Sequence, residues 1–437
     1  MMTRREALST MGKSSLAVAA IGIGQSASAE TAKAVKKAIS PDQPIRIAVI
    51  GAKNQGGRVH LPSLVGDDDC LVATICDVDK NVVAESIKMA TDLYAEKGKK
   101  VKIKASYDYR DVMADKSIDA VLIATPDHWH VPLSKAAVLA GKDVYVEKPL
   151  SFYVTEGREL VDLVKDRDII VQVGSQHRSM DRIFLAQAAI QAGLIGKVHH
   201  VDVEIKTRSG ELREWEPQPV PPELDYDMYV GPATWTDYHV DRVHYNFRFV
   251  PEFSGGEIAN WGAHFLDSFQ QIMELDDTGP VKVHGKGKRH PAGNIHTSNY
   301  DIDVDFTYPC GLTMKFKTGD NGITFHGDKG SLFVSRKKLT MDPPELLRSI
   351  PKDKALAMKK TKGSHLQNWF ACVRSRRKED LHAPLWIGNR SANLCHLANI
   401  AIELGRPLEW DDEKEVFRND AMASSLLNRP VREKWRV

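Results

Sequence analysis

Gly51-Ala-Lys-Asn-Gln-Gly56-Gly57 follows a short apolar run, Ile45 to Ile50, and opens a segment that can be helical. Glycines so placed suit a dinucleotide. The first makes a tight turn, a later one lets helix and strand pack closely, and the helix N-terminus offers free N–H groups to a pyrophosphate. Gly51, Asn54, Gln55 and Gly56 are therefore expected to contact a cofactor, although Lys53 stands where the usual middle glycine admits backbone to phosphate. Asp77 closes the next apolar run, placed to accept hydrogen bonds from a ribose diol and to repel a 2′-phosphate, which favours NAD over NADP. The same residue could instead cap a helix beginning at Lys80. A second constellation lies at 258–273. As a helix, Ile258, Trp261, Phe265, Phe269 and Ile272 form an apolar stripe, and Asn260, His264, Asp267 and Gln271 share another face. That polar stripe is either solvated or lines a cleft, with His264 as a general acid/base tuned near neutral pH. Lys148 ends a further apolar run, where an ammonium can hydrogen-bond a hydroxyl being oxidised once burial lowers its pKa. Sixteen histidines are scattered without compact ligand spacing, so no metal site is expected.

The elements that would hold these residues read in two styles. Ile45–Ile50, Leu71–Cys76, Ala120–Ala124, Asp143–Val146 and Ile169–Val173 are short apolar runs separated by helix-compatible stretches, and each ends in polar or glycine-containing sequence. This is the pattern of a doubly wound parallel sheet covered on both faces, with ligands off the strands' carboxyl ends. Beyond residue 176, Val201/Val203/Ile205, Ile302/Val304/Phe306 and Leu312/Met314/Phe316 alternate with polar residues, which predicts a large open, mainly antiparallel sheet. Helical patterning returns near Leu366. The expected division is a dinucleotide-binding domain over 45–175 and an α/β substrate and oligomerisation domain over 176–437.

With 437 residues, 60 basic against 58 acidic, the chain has no global charge that would draw nucleic acid or an anionic membrane. Arg4-Arg5, an apolar stretch from Leu16 to about Gly24, and Ala27-Ser28-Ala29 read as a twin-arginine signal over 1–29, followed by a linker over 30–44. The apolar stretch is too short for a stable membrane anchor. Export to the periplasm by the twin-arginine machinery is thus expected. The five cysteines form no disulfide or zinc pattern; Cys70 and Cys76, on one strand, are expected to face the same way.

Thr125-Pro126-Asp127-His128-Trp129-His130, Ala-Gly-Lys-Asp-Val-Tyr-Val before Glu147-Lys148-Pro149-Leu150, and Trp261-Gly262-Ala263-His264-Phe-Leu-Asp267 resemble the glucose–fructose oxidoreductase/inositol dehydrogenase (Gfo/Idh/MocA) family. The resemblance runs from about Ile45 to the C-terminus. It implies a Rossmann domain, NAD(P) use, and sugar or cyclitol substrates. It places Thr125, Pro126, His130, Glu147 and Gln176 at the cofactor, Lys148 between nicotinamide and substrate hydroxyl, and Trp129 and Arg178 among substrate contacts. His264 would share catalysis with Lys148. Asn260 departs from the aspartate often found four residues before that histidine, which removes a carboxylate that would raise its basicity.

An exported NAD enzyme must carry its cofactor through folding and reoxidise it in place. The expected function is hydride transfer from a sugar, glycoside or cyclitol hydroxyl to tightly held NAD. Two other readings stay open: a redox-neutral NAD-dependent glycosidase working by oxidation, elimination and reduction, and a cofactor-bound sugar-binding protein. A homo-oligomer paired through the open sheet is the expected assembly.

Overall fold

The computed structural model describes residues 39–40 and 42–437; the signal expected over 1–29 lies outside them. The first lobe is a parallel sheet of six strands: β1 (Ile45–Ile50), β2 (Cys70–Cys76), β3 (Lys104–Ser106), β4 (Ala120–Ile123), β5 (Asp143–Val146) and β6 (Val171–Val173), ordered β3-β2-β1-β4-β5-β6. Its continuous apolar runs follow from burial on both faces. Ile45, Ile47 and Val49 enter one core cluster, whereas Ala48 and Ile50 enter the cluster on the opposite side. Complete burial of one such aliphatic side chain stabilises by about 1.5–3 kcal/mol.

Cys70 and Cys76 face opposite layers rather than the same one. The pairing of β1 with β2 skips Ala73, and this extra residue reverses the alternation between them. All five cysteines are free, and only Cys310 is exposed.

The second lobe is a nine-stranded sheet. Its strands are β7 (Val198–Ile205), β8 (Lys282–Lys288), β9 (Tyr300–Thr307), β10 (Thr313–Thr318), β11 (Gly322–Gly327), β12 (Gly330–Val334), β13 (Leu339–Asp342), β14 (Leu408–Asp411) and β15 (Val416–Phe417). The order is β13-β12-β11-β7-β10-β9-β8-β14-β15, and among the described strands of this sheet β7–β10 is the one parallel pair. The predicted alternation is present: Val201, Val203, Ile205, Val304, Phe306, Met314 and Phe316 are buried against the Ala263–Ile272 helix.

Two late helices return to the first lobe. His365–Ser375, started by a Ser364/Gln367 capping box, buries Trp369, Phe370 and Val373 against the first sheet. Leu385–Leu404 puts Leu385 and Ala392 into the first lobe's core, and Leu394, Leu397 and Ala401 into the second's. Its Asn399 also donates to the Gly255 carbonyl, fixing the segment that leads into Ile258–Gly262.

Candidate active site

The cleft lies off the carboxyl ends of β1, β2, β4 and β5, facing the Ile258–Gly262 turn of the second lobe, and has a volume of about 750 Å³. At its nucleotide end, Gly51 takes φ +83°, and a Cβ there would meet the Ala124–Thr125 backbone at 2.7 Å. A Cβ on Gly56 would come 1.9 Å from the Gly51 carbonyl oxygen. The first and last glycines of the loop are therefore required by close packing. Between them Lys53, Asn54 and Gln55 line the cleft, and the helix opens as a wide π turn, Asn54–His60.

Asp77 accepts hydrogen bonds from the N–H groups of Ala52 (2.8 Å) and Asp79 (3.1 Å). Capping of the following helix falls instead to Asp79, which accepts from Asn81 and Val82. Each Asp77 carboxylate oxygen keeps a further lone pair on the cleft, and burial pushes its pKa up to about 6. Thr125 Oγ1 is buried with no protein partner. A backbone cradle, an acceptor pair at the ribose position and an orphaned hydroxyl together fit a dinucleotide.

Glu147 ties the middle of the cleft together. It accepts from Gln176 Nε2 (3.0 Å), Gln55 Nε2 (3.4 Å) and the Lys148 N–H (3.2 Å), and lies 2.7 Å from His60 Nε2. Burial works to raise its pKa, but the His60 hydrogen bond and the neighbouring Lys148 bring it below the usual carboxylate value. His130 lines the cleft with Pro126, yet its ring nitrogens face the carbonyls of Pro149 (2.6 Å) and Thr125 (2.9 Å). Its role here is to join two loops, one of which contains the cis Lys148–Pro149 bond.

Lys148 Nζ donates to the Asn260 carbonyl (2.9 Å) and to Asn260 Oδ1 (3.1 Å), bridging the lobes. Burial lowers its pKa, against the opposing pull of Glu147 and Asp127. Asn260 in turn donates to Glu257 Oε2 (2.8 Å). His264 also lines the cleft, stacked on His177 at 4.7 Å, and its Nδ1 is buried without a partner. Burial, then Lys148 and His177, hold its pKa well below 6.5. The expected tuning near neutral pH is thus overturned: His264 is a neutral imidazole at physiological pH.

Three further expectations are corrected by packing. The polar stripe is broken within the Ala263–Ile272 helix, where His264 stands at the cleft and Asp267 is drawn into the interior by buried partners. Asn260 and His264 reach the cleft, while Asp267 is fully buried against Arg178 (2.7 Å) and Ser391 (2.6 Å). Arg178 is consequently no substrate contact: its guanidinium forks between Asp267 and Asp276 (2.6 and 2.9 Å), away from the cleft. Trp129 is no free stacking wall either. It is 5% exposed, its indole N–H donates to the Met228 and Tyr229 carbonyls, and its ring packs edge-on against Tyr109 and Trp435.

Several cleft residues carried no recognisable sequence signal. Tyr229 arrives from the short helix Tyr226–Val230, Arg208 from an irregular segment, Arg248 from a 3₁₀ turn and Arg336 from just past a strand. Buried His60 reaches the cleft only through Glu147. The aromatic loop at His244-Tyr245 also lines the cleft, and His244 Nε2 reaches Asp79 at 3.3 Å.

Fold and site define a two-lobed nucleotide-binding protein with a cleft of charged, polar and aromatic side chains between the lobes. Residues 45–175 match the oxidoreductase family's NAD-binding Rossmann fold, and residues 189–437 match its C-terminal alpha/beta domain. The chain belongs to this Gfo/Idh/MocA oxidoreductase family and carries its NAD-binding Rossmann domain. It is 32% identical over 188 residues to myo-inositol 2-dehydrogenase of Thermotoga maritima, covering 43% of this chain and 49% of that one. It is 34% identical over 152 residues to glycosyl hydrolase family 109 protein 2 of Shewanella sp. (strain ANA-3), covering 33% of each. The chain spans about half or less of the length of curated relatives such as these. Among solved structures, the fold is similar to the WlbA dehydrogenase of Bordetella pertussis in complex with NADH and UDP-GlcNAcA. That match has TM-score 0.61 and 18% identity, covering 84% of this chain and 99% of the other.

Proposed function

We propose that this protein is an NAD-dependent oxidoreductase that removes hydride from a hydroxyl-bearing carbon of a sugar, glycoside or cyclitol. The observation that carries this reading is that Lys148 and His264, from different lobes, both line the cleft beside the dinucleotide cradle. NAD, when bound along Gly51–Gly56 and Asp77, supplies the hydride acceptor. The Lys148 ammonium hydrogen-bonds the substrate oxygen and favours its alkoxide character, while the unprotonated His264 imidazole takes the hydroxyl proton. Asn260 holds Lys148 in place.

The glycosyl hydrolase relative supports a second reading, oxidation followed by elimination and hydride return. One experiment separates them. Mass spectrometry of the denatured protein identifies the released dinucleotide, and absorbance during a screen of sugars and aryl glycosides follows NADH. NADH accumulation supports the dehydrogenase, and aglycone release without NADH supports the glycosidase. Sugar binding with neither product supports a sensor.

NAD should bind at least about tenfold more tightly than NADP near neutral pH, because an ionised Asp77 repels a 2′-phosphate. With its pKa raised to about 6, Asp77 is charged above that pH and neutral below it. The preference should therefore narrow as pH falls from about 7.5 to about 5, the phosphate losing charge over the same interval. Calorimetry at both pH values tests this; a ratio that does not move, or that favours NADP, removes Asp77 as the discriminator.

Export through the twin-arginine machinery predicts a periplasmic chain beginning at Glu30, the residue after Ala27-Ser28-Ala29. N-terminal sequencing of periplasmic material checks it, and recovery of only full-length cytoplasmic protein counts against export. A homo-oligomer paired through the open sheet is proposed as well. Its supporting feature is the face of the sheet away from the core, where Lys315 pairs with Asp303 and Asp305 and Lys317 with Asp202 and Glu204 across neighbouring strands.

A further inference from the structure

We infer that the substrate half of the cleft is built for a sugar bearing a negative charge, a carboxylate or a sulfate ester, received by Arg248 and Arg336. This rests on the carbohydrate reading above and narrows it. Arg248, in the 3₁₀ turn His244–Phe249, lies 3.8 Å over the Tyr245 ring, and its Nε and Nη1 are buried with no partner. Arg336, just past β12, lies 4.7 Å over Trp261 and donates through Nε to His177 Nε2 (2.6 Å). Neither arginine has a carboxylate within ion-pair distance among the described residues.

The nearby carboxylates are already engaged. Glu257 is shared by Arg208 and Asn260, Asp127 accepts from Ser254 (2.6 Å), and Glu147 serves His60 and Gln176. Asp77 belongs to the nucleotide end. Lys148 adds a third cation whose hydrogen bonds go to a neutral amide. Buried guanidinium N–H groups without acceptors are costly to maintain, and an oxyanion presents the planar acceptor pair that an arginine fork matches. The aromatic rings of Tyr245 and Trp261 lie against the two guanidinium groups and help hold them at the cleft.

The test is calorimetry on the NAD-saturated full chain with glucose, glucuronate, glucose 6-sulfate and inorganic sulfate. One or both anionic sugars should bind roughly ten- to a hundredfold more tightly than glucose, and which of them does so separates carboxylate from sulfate ester. Arg248→Met and Arg336→Met should each collapse the anionic-to-neutral ratio, and Arg248→Lys should retain part of it, with NAD binding and melting temperature confirming that the variants fold. A ratio near one, or a ratio that both methionine variants preserve, overturns the inference. Sulfate binding that depends on Arg248 without any sugar binding keeps the anion site and removes the carbohydrate reading instead. Absence of both sulfate and anionic-sugar binding removes the anion site.

Discussion

Lys148→Met should lower turnover on a verified substrate by about a hundred- to ten-thousandfold, and His264→Ala by a similar factor, while NAD affinity stays within a few fold. The two side chains act on one proton transfer, so the double variant should lose far less than the product of the single losses. The pH profile carries its own signature. His264 must be unprotonated to accept a proton, and its pKa lies well below 6.5, so activity rises on an acid limb well below that value. Lys148 must be protonated, and its pKa is lowered, so activity falls on an alkaline limb below the ordinary 10.5 of a lysine. Asn260→Asp is the informative companion. The amide faces Lys148 and Glu257, not the imidazole, so a carboxylate there should raise the Lys148 pKa and move the alkaline limb upward. Its closeness to Glu257 should cost some stability. Single variants with wild-type turnover would remove both residues from the chemical step.

Arg178→Ala should destabilise the protein by about 3–5 kcal/mol, because it strands Asp267 at a position with no exposure and Asp276 beside it. Asp267 already keeps one oxygen without a partner, so nothing nearby can absorb the lost hydrogen bonds. The denaturant midpoint should fall with little change in slope. Turnover per folded molecule and KM should change little, since the guanidinium lies outside the reaction cleft. Arg178→Lys should recover only part of the stability, because an ammonium cannot make the forked contacts to two carboxylates. A variant of normal stability with a much raised KM would return Arg178 to the substrate-binding residues.

What could be read along the chain was whatever depends on neighbours in sequence. The apolar runs ending at Ile50, Cys76, Ile123 and Val146 specify buried parallel strands by themselves, and a glycine at 51 or 56 states its own packing need. Lys148 and Gln176 could be placed at a cleft because a strand's carboxyl end is a local property. The alternation in β7, β9 and β10 likewise reported a one-sided sheet.

The tertiary structure decided whatever depends on a partner far along the chain. A single skipped residue at Ala73 turned Cys70 and Cys76 to opposite layers, and Arg178 and Ser391, far along the chain, hold Asp267 in the interior. Arg178 became a structural ion pair only because Asp267 and Asp276 fold against it. The protonation state of His264 is a matter of burial beside Lys148 and His177, which follow β5 and β6 at the carboxyl edge of the Rossmann sheet. The arginines of the cleft show no motif, since a charge acquires its meaning from the counter-charge beside it, and pairing is a property of the folded state.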